Sequence, residues 1–236
     1  MKKFQKELWH GSYYEIAMEF FPRIEVSRVI TALKSLLENS KIKCQWADQN
    51  FTEIKQIPDS LDEYTFTSFF GTINLKDGKE LGCHIVILRE QERSNWLDIC
   101  IPTGMLEATY ELSYPLEHKN NCFLYDIDDL FIELAMTIYN AAKFDFAIIG
   151  EEVSGSKYIT DLTEEDIKNG GIILPRRYMK KEYLDLNKRQ IEDLYYFQAY
   201  SKKRITSSNN VFTLRGFQPL GPPDGIRGSG FRRTYL

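Results

Sequence analysis

The sequence predicts an α+β fold: a mainly antiparallel sheet with two long amphipathic helices packed on one face, followed by an irregular C-terminal tail. Three observations carry this expectation. Apolar residues recur at helical spacing in two separate stretches, headed by Val26 and Ile127. Between them lie strand-like runs around one clear hairpin turn. The regular strand–helix alternation that a doubly wound parallel sheet requires is missing.

From Tyr14 to Phe20, Tyr14, Ile16, Met18 and Phe20 alternate with Glu15, Ala17 and Glu19, the period of two of a half-buried strand, which Pro22 then stops. Val26, Val29, Ile30, Leu33 and Leu37 follow at helical spacing, with Arg28, Lys34 and Glu38 on the wet side. A short strand is expected near Ile42 to Trp46, and a loop over residues 57–63. Tyr64 to Leu75 is rich in β-branched and aromatic residues. Lys76-Asp77-Gly78-Lys79 supplies a turn in which Gly78 takes a positive φ, and Leu81 to Leu88 resumes as a strand. Trp96 to Ile101 is a third antiparallel member, closed by Pro102 and Gly104.

Asp126 is placed to cap a helix running to Lys143, whose buried face carries Ile127, Leu130, Phe131, Leu134, Ile138 and Ala142. Phe144 to Ile149 has strand length. Thr163 through Asp166 opens a short helix that Asn169-Gly170-Gly171 stops. A last helix is predicted over Asp185 to Ala199, using Leu186, Ile191, Leu194 and Tyr195.

Residues 1–200 are thus expected to form a single α+β domain, and 201–236 a basic, Gly/Pro-rich C-terminal segment. That segment holds seven Lys and Arg against Asp224 alone, a charge of +6, which leaves −10 on residues 1–200 of a chain whose formal total is −4. An acidic body disfavours nucleic acid as the partner except through the 201–236 tail, where binding would be salt-sensitive. Cys44, Cys83, Cys100 and Cys122 form no Cys-x-x-Cys pair, and His10, His84 and His118 show no metal-binding spacing. Neither a metal nor a cofactor is expected. The N-terminus lacks the apolar core of a signal peptide and no apolar run approaches membrane-spanning length, so a cytoplasmic setting without membrane partners is expected.

The stretch Phe144 to Tyr158 runs an apolar strand into a glycine-bearing loop, where α/β proteins place ligands. Gly150 and Gly155 have phosphate-loop spacing, but Ser156 and Lys157 stand in reversed order, and Glu151 and Glu152 put negative charge beside any phosphate. Glu151, Glu152 and Asp98 are the acid–base candidates, with His84 beside Cys83 as a weaker one. No G-x-S-x-G elbow is present.

These properties fit a small acidic binding protein that works by protein–protein recognition of a basic partner, as bacterial immunity proteins do when they neutralise toxins; no motif identifies that class. Glu15 and Glu19 are the expected steering charges and Tyr195 and Tyr196 the expected aromatic anchors. The alternative is an enzyme acting on a small or phosphorylated substrate at the Gly150–Lys157 loop.

Overall fold

The structure, a computed structural model, describes residues 6–47, 66–90 and 93–198. The 57–63 loop, the start of the Tyr64 strand and the 201–236 segment lie outside the described residues.

Among the described residues nine strands form one sheet: β1 (Tyr13–Phe20), β2 (Ile42–Ala47), β3 (Phe66–Asn74), β4 (Glu80–Arg89), β5 (Asn95–Pro102), β6 (Phe146–Glu151), β7 (Ile172–Pro175), β8 (Lys188–Ile191) and β9 (Leu194–Phe197). Their spatial order is β2-β3-β4-β5-β1-β6-β7-β9-β8, and every neighbouring pair is antiparallel. The first strand in sequence is therefore central in space. It pairs with β5 from Tyr13↔Pro102 to Phe20↔Asn95 and with β6 from Tyr14↔Glu151 to Glu19↔Phe146.

The two long helices are α1 (Val26–Leu37) and α3 (Leu124–Ala141); a short α2 (Thr103–Glu107) and α4 (Glu164–Asn169) complete the helices among the described residues. α1 and α3 touch each other and bury Val29, Leu33, Leu36, Ile127, Phe131, Leu134 and Ile138 against Ile16, Met18, Phe20, Ile85, Ile87, Leu97, Ile99 and Ile101 of the sheet. Full burial of a Leu, Ile or Phe side chain contributes roughly 1.5–3 kcal/mol. A one-residue slip of β1 would turn Glu15 and Glu19 into this layer, so register is strongly fixed.

The opposite face has its own core of Ala17, Trp96, Phe146, Ile148, Ile172, Leu174 and Phe197, roofed by Leu162, Ile167 and Tyr183 from the connections around α4. Thr163 caps α4 through a capping box: its hydroxyl oxygen accepts from Asp166 N while the Asp166 side chain accepts from Thr163 N. Because both faces of β1 are covered, every residue from Tyr14 to Phe20 is buried, and the half-wet strand expected from its alternation is instead a central one. Alternation registers two chemically distinct faces; it does not register what lands on them.

The Lys76–Lys79 turn forms as expected, with Gly78 at φ +82° and Leu75 N donating to Lys79 O. The Trp96 strand closes at Pro102 as expected, and α2 begins at Thr103 directly after it. The α3 helix starts two residues before Asp126, at Leu124, with Phe123 at the N-cap position and no side-chain cap. The predicted 185–199 helix is a correction: Lys188–Ile191 and Leu194–Phe197 form a hairpin, with Glu192 at φ +53° in its turn. The Leu-Tyr-Tyr-Phe run has high strand propensity, and pairing with β7 buries its residues on both sides, which an isolated helical stripe would not do.

Candidate functional site

A cleft of about 160 Å³ opens on the helix-bearing side of the sheet, lined by Tyr14, His118, Tyr125, Asp128, Glu151 and Tyr196 among others. Tyr14 comes from β1, Tyr196 from β9 and Asp128 from the second turn of α3. The loop that carries His118 is tied down by buried Asn121, which accepts from Ser113 N at 2.8 Å and donates to Ser113 O at 2.7 Å and Glu117 O at 3.2 Å.

Asp128 is the hub. Its Oδ1 accepts from Tyr14 OH at 2.6 Å and its Oδ2 from Tyr196 OH at 2.9 Å, and Oδ2 lies 2.8 Å from His118 Nε2. Since Oδ2 is an acceptor, Nε2 is the nitrogen that donates to it. The imidazole also packs on Tyr125 with ring centroids 4.7 Å apart. Burial, followed by the adjacent Asp128 charge, pushes both the Tyr14 and the Tyr196 phenols well up, so both remain hydrogen-bond donors at neutral pH. At the rim, Glu151 accepts from Ser12 Oγ at 2.5 Å. Glu117 also lines the cleft, where it pairs with Lys119 at 2.5 Å.

The predicted site residues are divided between the two faces. Glu151 reaches this cleft, while Glu152 is exposed at φ +49°. Asp98 lies on the other face, 3% exposed, with Oδ2 accepting from Ser154 Oγ at 2.6 Å and Oδ1 without a hydrogen-bond partner among the described residues. Glu15 and Glu19, 5% and 1% exposed, are not surface steering charges. Glu15 accepts from Ser154 N at 2.8 Å and from Cys100 Sγ at 3.1 Å; Glu19 accepts from Ile159 N at 2.7 Å and from Ser94 Oγ. These carboxylates hold the 153–159 strap onto the sheet. Burial raises all three, Asp98 far and Glu19 to about 7.

The same contacts bear on the Gly150–Lys157 loop. Its Glu152, Ser154 and Ser156 amides donate to Tyr13 O, Glu15 Oε1 and Val153 O respectively, so these donors are already used inside the protein. His84 pairs across strands with Cys100, not with its sequence neighbour Cys83. Its ring stacks on Phe70 at 4.5 Å, burial lowers it to about 4, and burial also holds the Cys100 thiol far above its ordinary range. That environment favours a neutral thiol beside a neutral ring. Tyr195 is half-buried and Tyr196 is buried as a donor to Asp128.

Sequence reasoning missed His118, Asp128 and Tyr14 as a set. One signal was present: Asp128 lies within the apolar arc of α3, between Leu124 and Phe131, where an acid needs buried partners. Among the described residues, no group of three or more His, Cys, Asp or Glu is arranged to hold a metal ion, and no helix is long and apolar enough to cross a membrane. Compared with protein-family models, curated proteins and solved structures, the chain shows no match in any of the three.

Proposed function

We propose that this protein acts by recognition of a basic protein partner in a cytoplasmic setting, in the manner of immunity proteins that neutralise bacterial toxins. The observation that supports this reading is an acidic, tyrosine-bearing surface next to the cleft. Tyr114 is 58% exposed and donates to Glu107 Oε1 at 3.0 Å. Desolvation, with the Glu107 hydrogen bond and the charges of Glu107 and Glu151, pushes its phenol up against the opposing effect of a Thr103 hydrogen bond. An exposed tyrosine held by a carboxylate offers an anchor of large area, and the acidic charge near it attracts a cationic surface. These residues replace Glu15, Glu19, Tyr195 and Tyr196 in the roles that the sequence suggested for them.

The test is affinity capture from the native cell with the wild-type protein and with a Glu107→Lys/Tyr114→Ala variant. The expected result is one basic protein recovered at one-to-one stoichiometry, bound less tightly as salt rises. The variant should bind it about 30-fold more weakly or worse, the cost of losing an anchor worth about 2 kcal/mol. Recovery of no stoichiometric protein, or equal recovery by the variant at all salt concentrations, overturns the reading.

A further inference from the structure

We infer that the 153–159 strap is a pH-sensitive latch, closed on the sheet face opposite the two long helices while the carboxyl groups beneath it are protonated, and lifted as rising pH ionises them. The way the strap is fastened leads there. Ser154 N donates to Glu15 Oε1 at 2.8 Å, Ser154 Oγ to Asp98 Oδ2 at 2.6 Å, Ile159 N to Glu19 Oε2 at 2.7 Å and Tyr158 OH to Glu90 Oε1 at 3.0 Å. Each of these ties ends on a carboxyl group, from β1, from β5 or from the residue after β4. Glu15, Glu19 and Asp98 are buried, and among the described residues no cation pairs with any of them. The cations around the strap are engaged elsewhere. Lys157 pairs with Asp166 at 2.8 Å, Arg93 stands 4.5 Å over the Tyr158 ring and 3.9 Å from Asp161, and Arg28 and Arg177 bond Asp145.

What faces these carboxyl groups is further acid or neutral. Asp145 and Glu90 act on Glu19, Glu15 and Glu90 act on Asp98, and Glu152 acts on Glu15. Tyr13, Cys100 and His84 share the face and are uncharged at neutral pH. Asp98 Oδ1 and Glu90 Oε2 are buried without a hydrogen-bond partner, so charge on either oxygen is poorly solvated while the strap is closed. Donation from Ser154 and Ile159 N favours the ionised forms, and burial outweighs it: Glu15 and Asp98 rise, and Glu19 reaches about 7. Lifting the strap lets water in and returns Glu19 towards its ordinary 4.5, so the open form holds fewer protons and gains on the closed one as pH climbs. Lifting also uncovers Trp96, a fully buried ring that packs edge-on against Tyr158 with centroids 5.7 Å apart. The latch thereby presents an apolar surface at higher pH and hides it at lower pH.

The test is amide hydrogen exchange followed by NMR on the full chain at about pH 5.5 and about pH 8, each rate referred to its intrinsic value at that pH and remeasured in low urea. With Glu19 at about 7 closed and 4.5 open, the opening equilibrium at Ile159 should rise by at least about 30-fold across the interval. Exchange at Ser154 and Ile159 should depend less steeply on urea than exchange at Ile16 and Met18 of β1, because lifting a strap exposes less surface than unfolding the chain. Glu19→Gln, which has no proton to lose, should shrink the rise at Ile159 about 30-fold relative to wild type. Protection at Ser154 and Ile159 that does not fall with pH, or a fall that Glu19→Gln leaves intact, overturns the inference. So do urea slopes in the wild-type chain equal to those of Ile16 and Met18, since these amides would then exchange only when the whole domain unfolds.

Discussion

Replacing Glu19 with Gln should flatten the pH dependence of stability in a predictable direction. Glu19 is 1% exposed, and burial lifts it from its ordinary 4.5 to about 7. The folded state therefore holds a proton that the unfolded chain has released over this interval. A group raised on folding contributes its full stability below the unfolded value and loses it as pH climbs towards the folded one. With 1.36 kcal/mol per pH unit, the loss is about 1 kcal/mol by pH 5.5 and about 3 kcal/mol by pH 8. Glutamine keeps the shape and both hydrogen bonds, because its carbonyl accepts from Ile159 N and its amide donates to a rotated Ser94 hydroxyl. It has no proton to lose. Urea unfolding of wild type and Glu19→Gln at about pH 5.5 and about pH 8 should thus show a stability difference that grows by about 2 kcal/mol in favour of the variant. Glu15 and Asp98 also titrate upwards, but their contributions cancel in the comparison to first order. Parallel stability curves for the two proteins would refute the argument that burial of this carboxyl dominates its titration.

Three further outcomes follow from contacts elsewhere. Asp145, buried, accepts from Phe21 N, Arg28, Arg177 and Tyr178; Arg28 keeps Glu25 and Arg177 keeps Phe144 O, so Asp145→Ala should cost about 1–3 kcal/mol in chemical denaturation, chiefly by leaving Phe21 N and the Tyr178 phenol without their acceptor. Gly171 has φ +77°, and a Cβ there would lie 2.4 Å from the Ile149 carbonyl oxygen, so Gly171→Ala should lose more than about 1 kcal/mol and weaken hydrogen-exchange protection along β6 and β7; Gly150→Ala, which meets only the Val153 side chain at 2.8 Å, should cost less. Thr163→Ala removes the hydroxyl half of the α4 capping box and should cost about 1 kcal/mol, measurable as a lowered melting temperature.

The cleft and the strap show why a polar set resists reading from one chain. Tyr14, His118, Asp128 and Tyr196 are far apart in sequence, with 114 positions between Tyr14 and Asp128 and 68 between Asp128 and Tyr196. No spacing rule joins them, because the strand order that brings β9 and β1 onto the side of the sheet that α3 covers is a property of the whole sheet. Glu15 and Glu19 read as wet because they alternate with apolar neighbours, and they are buried because residues more than 130 positions later fold back over them. The Leu194–Phe197 segment carried both helical and strand signals, and its partner strand β7 decided between them.

The amino-acid order alone determined the features whose energetics close over a few residues: the Val26 and Ile127 helical stripes, the Gly78 turn, the Thr163 capping box, and the α+β class that these imply. Only the tertiary structure decided which polar groups are buried, which carboxylate holds which backbone amide, and where an imidazole meets an aspartate. Local conformational preference acts through neighbours in the chain, whereas desolvation and hydrogen-bond pairing depend on what lies opposite in space.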